Sequence, residues 1–378
     1  MAPEDLLALA AQLASEFQVG AAERDRTGAL PVEGIESARR AGVLALTVPA
    51  SHGGWGADLA AFARFQERVA RGDASTALIL AMHHMLVGGE AEAGLWPAAE
   101  WDEVCDAAVA AGALINAAAT EPGAGSPSHG GLPATEAAHV AGEWRLTGRK
   151  AYTTGAPLLR YVRVAARVDA AAGEPYSARF LVSLPAEGAT VLNEWDPVAL
   201  KPSGGEDIVF EGTPARLLYR EDRRGCEGNV WFQVAIAATY LGVGQAAHEA
   251  ARDYAAGHRP RALEGPISDL DAVRLRLGRV RGRLLVARRH LFAVADEWVG
   301  LPRAAREGLV NAVALAKVTA TEAAAFAAEE AMRVAGAAGL DRSLPLQRYL
   351  RETRAGLAHP PVEDVAYLAL AREDLENR

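Results

Sequence analysis

The chain has almost no lysine. Of 378 residues only Lys150, Lys201 and Lys317 carry an ammonium side chain, so nearly all positive charge is arginine. The net charge of −9 excludes a role that needs a broad basic face, such as binding nucleic acid or an anionic membrane. Cysteine is scarcer still. Cys105 and Cys226, with no CxxC spacing, provide neither a metal knuckle nor a disulfide framework, and a reducing cytoplasm is the expected compartment. Met1 to Phe17 carries Glu4, Asp5 and Glu16 where a signal peptide needs a basic end and an apolar centre. No unbroken apolar run of ~18 residues occurs, so no membrane span is expected. What is present, half apolar and 23% charged residues, is the composition of a soluble globular protein. Its length predicts two or three packed units.

Apolar residues at three- and four-residue spacing, as in Leu6, Leu7, Ala10, Leu13 and Phe17, predict amphipathic helices over residues 1–118. A turn over Val48 to Gly56 interrupts them. Asp73 to Thr76 then caps a long apolar helix containing His83 and His84. From 119 to 225 the period changes to two, with a hairpin around Val140 to Leu146 and alternation at Val162, Val164, Ala166 and Val168. Frequent prolines there predict short strands in a small antiparallel barrel or sandwich. Helical spacing returns over 226–378. Val273 to Trp298 keeps a four/three rhythm, and a small-residue seam runs from Leu309 to Ala331 before Gly336 as C-cap, which together predict a four-helix bundle. The arginines between 274 and 289 read as a solvated or inter-subunit face. The expected fold is therefore mainly α with a central β domain.

Between the first helices and the strands lies Thr120-Glu121-Pro122-Gly123-Ala124-Gly125-Ser126, and further on Gly148 to Pro157. Glycines here let the backbone approach a flat or anionic ligand, and the hydroxyls of Thr120, Ser126, Thr153 and Thr154 can donate to ring carbonyls or phosphate oxygens. By itself such a stretch equally describes a chain reversal.

Set beside Val48 to Gly56, Trp195 to Phe210, Gly242 to Tyr254, Gly265 to Asp269, Ala316-Lys317, Gly336 to Gly339 and Pro345 to Arg351, it resembles the acyl-CoA dehydrogenase superfamily over almost the whole chain. The resemblance implies an acyl-CoA dehydrogenase-like fold, and a flavin, FAD with FMN as the alternative. Thr120, Tyr152, Thr153 and Thr154 would lie on the isoalloxazine, Gly125 and Ser126 where flavin meets substrate, and Arg259, Arg261 and Gly336 on the dinucleotide. It also implies a homotetramer or homodimer, an acyl thioester or similar substrate, and an electron-transfer flavoprotein or flavin reductase as redox partner.

The departures concern the base. In most members a glutamate shortly after the Arg-Tyr-Leu-Arg segment removes the substrate α-proton; here that place is Pro360, which accepts no proton. Some members draw the base from an earlier helix, and the matching residue is Phe232, equally inert. Replacement candidates are His359, Glu363 and Asp364, with Asp364 alternatively a cap for the last helix. His83 and His84 point about 100° apart on their helix, and one of them is expected to face a cavity. Three readings stay open: α,β-dehydrogenation of an acyl thioester with a non-standard base; a two-component reduced-flavin monooxygenase, whose flavin hydroperoxide chemistry needs no carboxylate; and a non-catalytic flavin or acyl-CoA binding protein.

Overall fold

The computed structural model describes residues 2–123, 131–169, 174–223 and 225–376. The expected site residues Gly125 and Ser126 lie outside the described residues. The helical first part is built from α1 (Pro3–Gln18), α2 (Ala21–Thr27), α3 (Val32–Arg40), α4 (Leu59–Val69), α5 (Ala74–Ala93) and α6 (Ala98–Ala111). In α1 the buried set Leu6, Ala10, Leu13, Ala14 and Phe17 follows the expected stripe. α5 differs: every residue from Ala74 to Glu90 is buried, which makes it the central helix of this part. It begins where expected, with the Asp73 carboxylate accepting from the Thr76 amide at 3.0 Å. The turn at 48–56 needs glycine at 54, since a Cβ there would lie 2.1 Å from the Val48 carbonyl oxygen.

The strands are β1 (Leu114–Ala118), β2 (Glu136–Val140), β3 (Glu143–Lys150), β4 (Leu159–Val168), β5 (Tyr176–Ser183), β6 (Ala189–Val191) and β7 (Ile208–Arg220). Along the sheet they run β1-β4-β2-β3-β7-β5, and β4 also pairs with β5, so β2, β3, β7, β5 and β4 close on themselves as a small barrel. The hairpin between β2 and β3 turns on Ala141 and Gly142, both at positive φ. Most ladders are antiparallel as expected; β1 and β2 pair with β4 in parallel. Strand structure starts at Leu114, five residues ahead of 119.

The last part holds α7 (Glu227–Gly257), α8 (Asp271–Gly300), α9 (Val310–Ala335), α10 (Leu346–Ala358) and α11 (Glu363–Glu376), the first four forming the bundle. Small residues let α7 and α9 touch: a Cβ on Gly244 would meet the Ala324 Cα at 2.6 Å. Several α8 arginines find partners within the chain, among them Arg276 on Glu330 at 2.8 Å and Arg283 over the Phe326 ring at 3.7 Å. Although no unbroken apolar run exists, α7 and the stretch Arg303–Leu340 are long and apolar enough on average to cross a membrane. Within the protein 89% and 61% of their apolar windows are buried, so both serve as core helices here.

Candidate functional site

The two ends of the glycine-bearing stretch meet where β3 finishes. The Ala151 amide donates to the Thr120 carbonyl at 2.9 Å. Beneath them the Lys150 ammonium, fully buried, bonds the Glu121 carboxylate at 2.6 Å, and Thr135 adds a hydroxyl and an amide to the same oxygen. Burial alone would raise the Glu121 pKa, but these donors hold it down at about 2, while burial draws Lys150 down to about 8. The pair staples the base of the loop to the sheet.

Above this staple Tyr152 stands 66% exposed at a φ of 56°, its edge against the Trp195 ring at 5.8 Å. A non-glycine residue held at positive φ is strained, and its large aromatic face stands open, an arrangement suited to a ligand platform. Thr154 is fixed through its carbonyl by the Asn116 side-chain amide at 2.9 Å. Gly123, at a φ of 75°, has open space where a Cβ would be. Thr153 corrects an expectation: it is turned inward and fully buried, its hydroxyl without a partner, and only its backbone contributes to the edge.

Of the adjacent histidines, His83 is explained by structure. The Ile115 amide donates to its Nδ1 at 3.3 Å, which leaves Nε2–H to donate to the Leu44 carbonyl at 2.8 Å. Burial pushes its pKa down to about 4. His84 packs edge-on against Phe62 and Phe65, both ring nitrogens buried without partners, and burial again favours the neutral ring. Both rings are fully buried, and of the two only His83 has hydrogen-bond partners.

His359 lies elsewhere, at the C-cap of α10. Its Nε2 shares a 3.2 Å hydrogen bond with the Tyr240 hydroxyl of α7, and the Phe232 ring stands edge-on at 6.2 Å. Burial, and secondarily the Lys317 charge, lower its pKa to about 4. The structure therefore brings together His359, one of the replacement candidates, and Phe232, one inert base position. Glu363 and Asp364 do not join them. Both occupy the first turn of α11 and are exposed, suited to the positive end of the helix dipole, so Asp364 is not the cap. Arg259 and Arg261 project into solvent on the loop between α7 and α8. Gly336 ends α9 at φ 58° and ψ −137°, as expected of a C-cap.

The platform and the His359 loop are linked through Arg351 of α10, which bonds Asp25 at 2.6 Å and the Val198 carbonyl, in the loop carrying Trp195, at 2.7 Å. His359 follows about two helical turns later, roughly 12 Å along the axis. Sequence reasoning missed Tyr240 and Glu352, and gave Lys317 no role beyond its place in the Ala316-Lys317 segment. Glu352 is buried beside Arg348 at 3.8 Å, and burial raises its pKa to about 8. The Arg348 to Arg351 motif pointed to α10, but nothing local marked the α7 tyrosine.

One turn before Phe232, the start of α7 contributes Glu227 and Gly228 to a water-sized cavity of about 20 Å³ shared with α5, β4 and β7. It is lined by Glu90, Arg163 and Tyr219 as well as by Met85 and Leu86. Burial pushes Glu90 up to about 7, and one Glu227 oxygen has no partner.

The acyl-CoA dehydrogenase N-terminal domain model matches residues 4–94 and the C-terminal domain model residues 231–357. YdbM of Bacillus subtilis (strain 168), provisionally named an acyl-CoA dehydrogenase, is 39% identical over 97% of this chain and 95% of its own. L-evernosamine nitrososynthase of a Micromonospora species is 30% identical over 92% and 85%. TdsC of Paenibacillus sp. A11-2, solved with FMN and indole, superposes with a TM-score of 0.89 over 99% of this chain and 98% of its own, at 22% identity. With both domain models in the right order, a relative at 39% identity along its full length, and helical, β and bundle parts that superpose throughout, the chain belongs to the acyl-CoA dehydrogenase family of flavoproteins.

Proposed function

We propose that this protein is an oxygen-using member of its family, a monooxygenase that works with reduced FAD or FMN supplied by a separate flavin reductase. The observation that carries the reading is the neutral His359–Tyr240 pair, at 3.2 Å, with Pro360 and Phe232 at both places where a carboxylate base would stand. Removing an α-proton needs an acceptor poised near the working pH. His359 is a poor one: taking the proton would put a second buried cation beside Lys317. As neutral hydrogen-bonding groups in a site walled by Phe232, His359 and Tyr240 are suited instead to orienting a polar oxygen atom and keeping its environment fixed. The bound reduced flavin would supply the electrons that activate oxygen. On the protein side, Tyr152 would provide the flat platform, Thr120 and Thr154 hydrogen bonds at the ring edge, and the Glu121–Lys150 pair the rigid base beneath. The 30% identity to a nitrososynthase supports the same reading, since a nitroso group carries oxygen on nitrogen.

A second reading, acyl-thioester dehydrogenation with His359 as base and an electron-transfer flavoprotein as acceptor, is favoured by the 39% identity to YdbM. Two measurements separate them. Oxidised holoenzyme mixed anaerobically with acyl-CoAs from acetyl to palmitoyl should keep its flavin band; bleaching by any of them would establish the dehydrogenase and end the oxygenase reading. Reduced holoenzyme mixed with oxygen should reoxidise in two resolved phases, the second accelerated by a competent substrate. A single fast phase unchanged by every compound tried would leave a binding protein. A homo-oligomer, tetramer or dimer, completes the proposal: Leu275, Leu285 and Val286 on α8 and Val365, Leu368 and Leu375 on α11 are exposed apolar side chains that a second copy would cover.

A further inference from the structure

Lys317 sits on α9 with a side chain 1% exposed, and no ion pair involves it among the described residues. Its ammonium has three hydrogens, and three backbone carbonyls meet it: Gly356 at 3.0 Å, His359 at 2.6 Å and Pro361 at 3.1 Å. Gly356 belongs to the last turn of α10, whose carbonyls have no intrahelical donors. The residues that follow, Pro360 and Pro361, have no amide hydrogens to offer them. The turn cannot satisfy itself, and a donor reaching across from another helix does so. A buried ammonium without a counter-ion is costly. Every hydrogen bond that offsets that cost is made at the turn carrying His359, with the Glu322 charge adding a weaker attraction.

We infer that Lys317 is a positioning residue for His359: its ammonium fixes the Gly356–Pro361 turn and thereby holds the imidazole against the Tyr240 hydroxyl. The inference rests on reading His359 as an active-site group. The ionisable groups around the imidazole are few. Tyr240 of α7 touches it, and Glu352 of α10 acts on Tyr240 from behind. Lys317 of α9 is the positive neighbour, with Glu322 of the same helix and Glu363 of α11 interacting one layer further out. Lys317 thus opposes protonation of His359 while it anchors the backbone.

Carbethoxylation by diethyl pyrocarbonate, followed residue by residue with peptide mass spectrometry on the holoenzyme, reads both effects without any turnover. The reagent attacks neutral, accessible imidazole, and exposed His139 on β2 is the internal reference. In the wild type His359 should react ~10-fold or more slower than His139, as expected of a group reached only by local opening, with no midpoint between pH 5 and 8. Lys317→Met should bring the two rates together and introduce a titration midpoint for His359 inside that range. Lys317→Gln, one atom shorter but with two N–H donors, should restore part of the protection, and replaces the methionine variant if that one does not fold. Unchanged protection and no midpoint in the folded variants would overturn the inference. The oxygen-reaction measurement on wild-type protein is independent, so failure of the oxygenase reading and failure of the clamp are told apart.

Discussion

Replacing Glu121 by glutamine would leave the Lys150 ammonium buried without a countercharge, so Glu121→Gln should destabilise the fold by about 3 kcal/mol in urea unfolding and loosen flavin retention with it. Other residues set the response to pH. His83 and His359 have folded pKa values of about 4 and His84 is lowered as well, against an unfolded 6.5, so their neutral-form stabilisation is complete above 6.5 and is lost as pH falls from 6.5 towards 4. Glu90 and Glu352 act in the opposite sense. Raised to about 7 and about 8 from 4.5, they bind protons in the folded state first, so stability rises as pH falls from 8 towards 4.5. The urea midpoint should therefore pass through a maximum near pH 6.5. His359→Gln should flatten the acid limb by up to about 1.4 kcal/mol per pH unit. A midpoint that climbs steadily down to pH 5 would contradict this assignment.

Helix contacts are decided by where glycine is needed and where it is not. Gly244 lets α7 and α9 meet at Ala324, and Gly88 of α5 makes room for the Trp231 ring of α7, which a Cβ would approach to 2.3 Å. Alanine at either position should destabilise by roughly 1–3 kcal/mol, because a close-packed interface must shift. Gly278 of α8 is the contrast: exposed, mid-helix, with nothing within 4 Å of a built Cβ. Gly278→Ala should stabilise by about 1 kcal/mol through helix propensity alone. Thermal unfolding of the three variants side by side checks both signs. The small-residue seam of α9 was visible in the sequence, and so were the Asp73 start of α5, the β2–β3 hairpin and the period-two run of β4. The closure of the strands, and the parallel pairing of β1 and β2 with β4, were not. Ladder partners such as Ala118 and Val164 are far apart in the chain, and no local pattern states which strands will be neighbours.

For the whole molecule the test is assembly. Val286 is 69% exposed on α8, and Val286→Glu should shift light scattering of the holoenzyme to a smaller species if that face packs against a second copy; an unchanged mass for variant and wild type would place the interface elsewhere. The absorption spectrum of the purified protein and the identity of its released flavin test the cofactor at the same time, with weakly held flavin expected of an enzyme fed by a reductase.

Sequence alone determined the order of helical, β and bundle parts, the glycine-bearing stretch as a candidate cofactor-facing edge, and the absence of a carboxylate at Pro360 and Phe232. These are carried by local periodicity, by backbone freedom at glycine, and by residue identity. Tertiary structure decided what surrounds the vacancy. It made His83 a structural link between Leu44 and Ile115, sent Glu363 and Asp364 outward on α11, and turned Thr153 inward beside Tyr152. It also joined His359 to Tyr240, 119 residues away, and to Lys317, 42 residues away. Such contacts arise when helices pack, and packing is a property of the assembled core that no short stretch of the chain encodes.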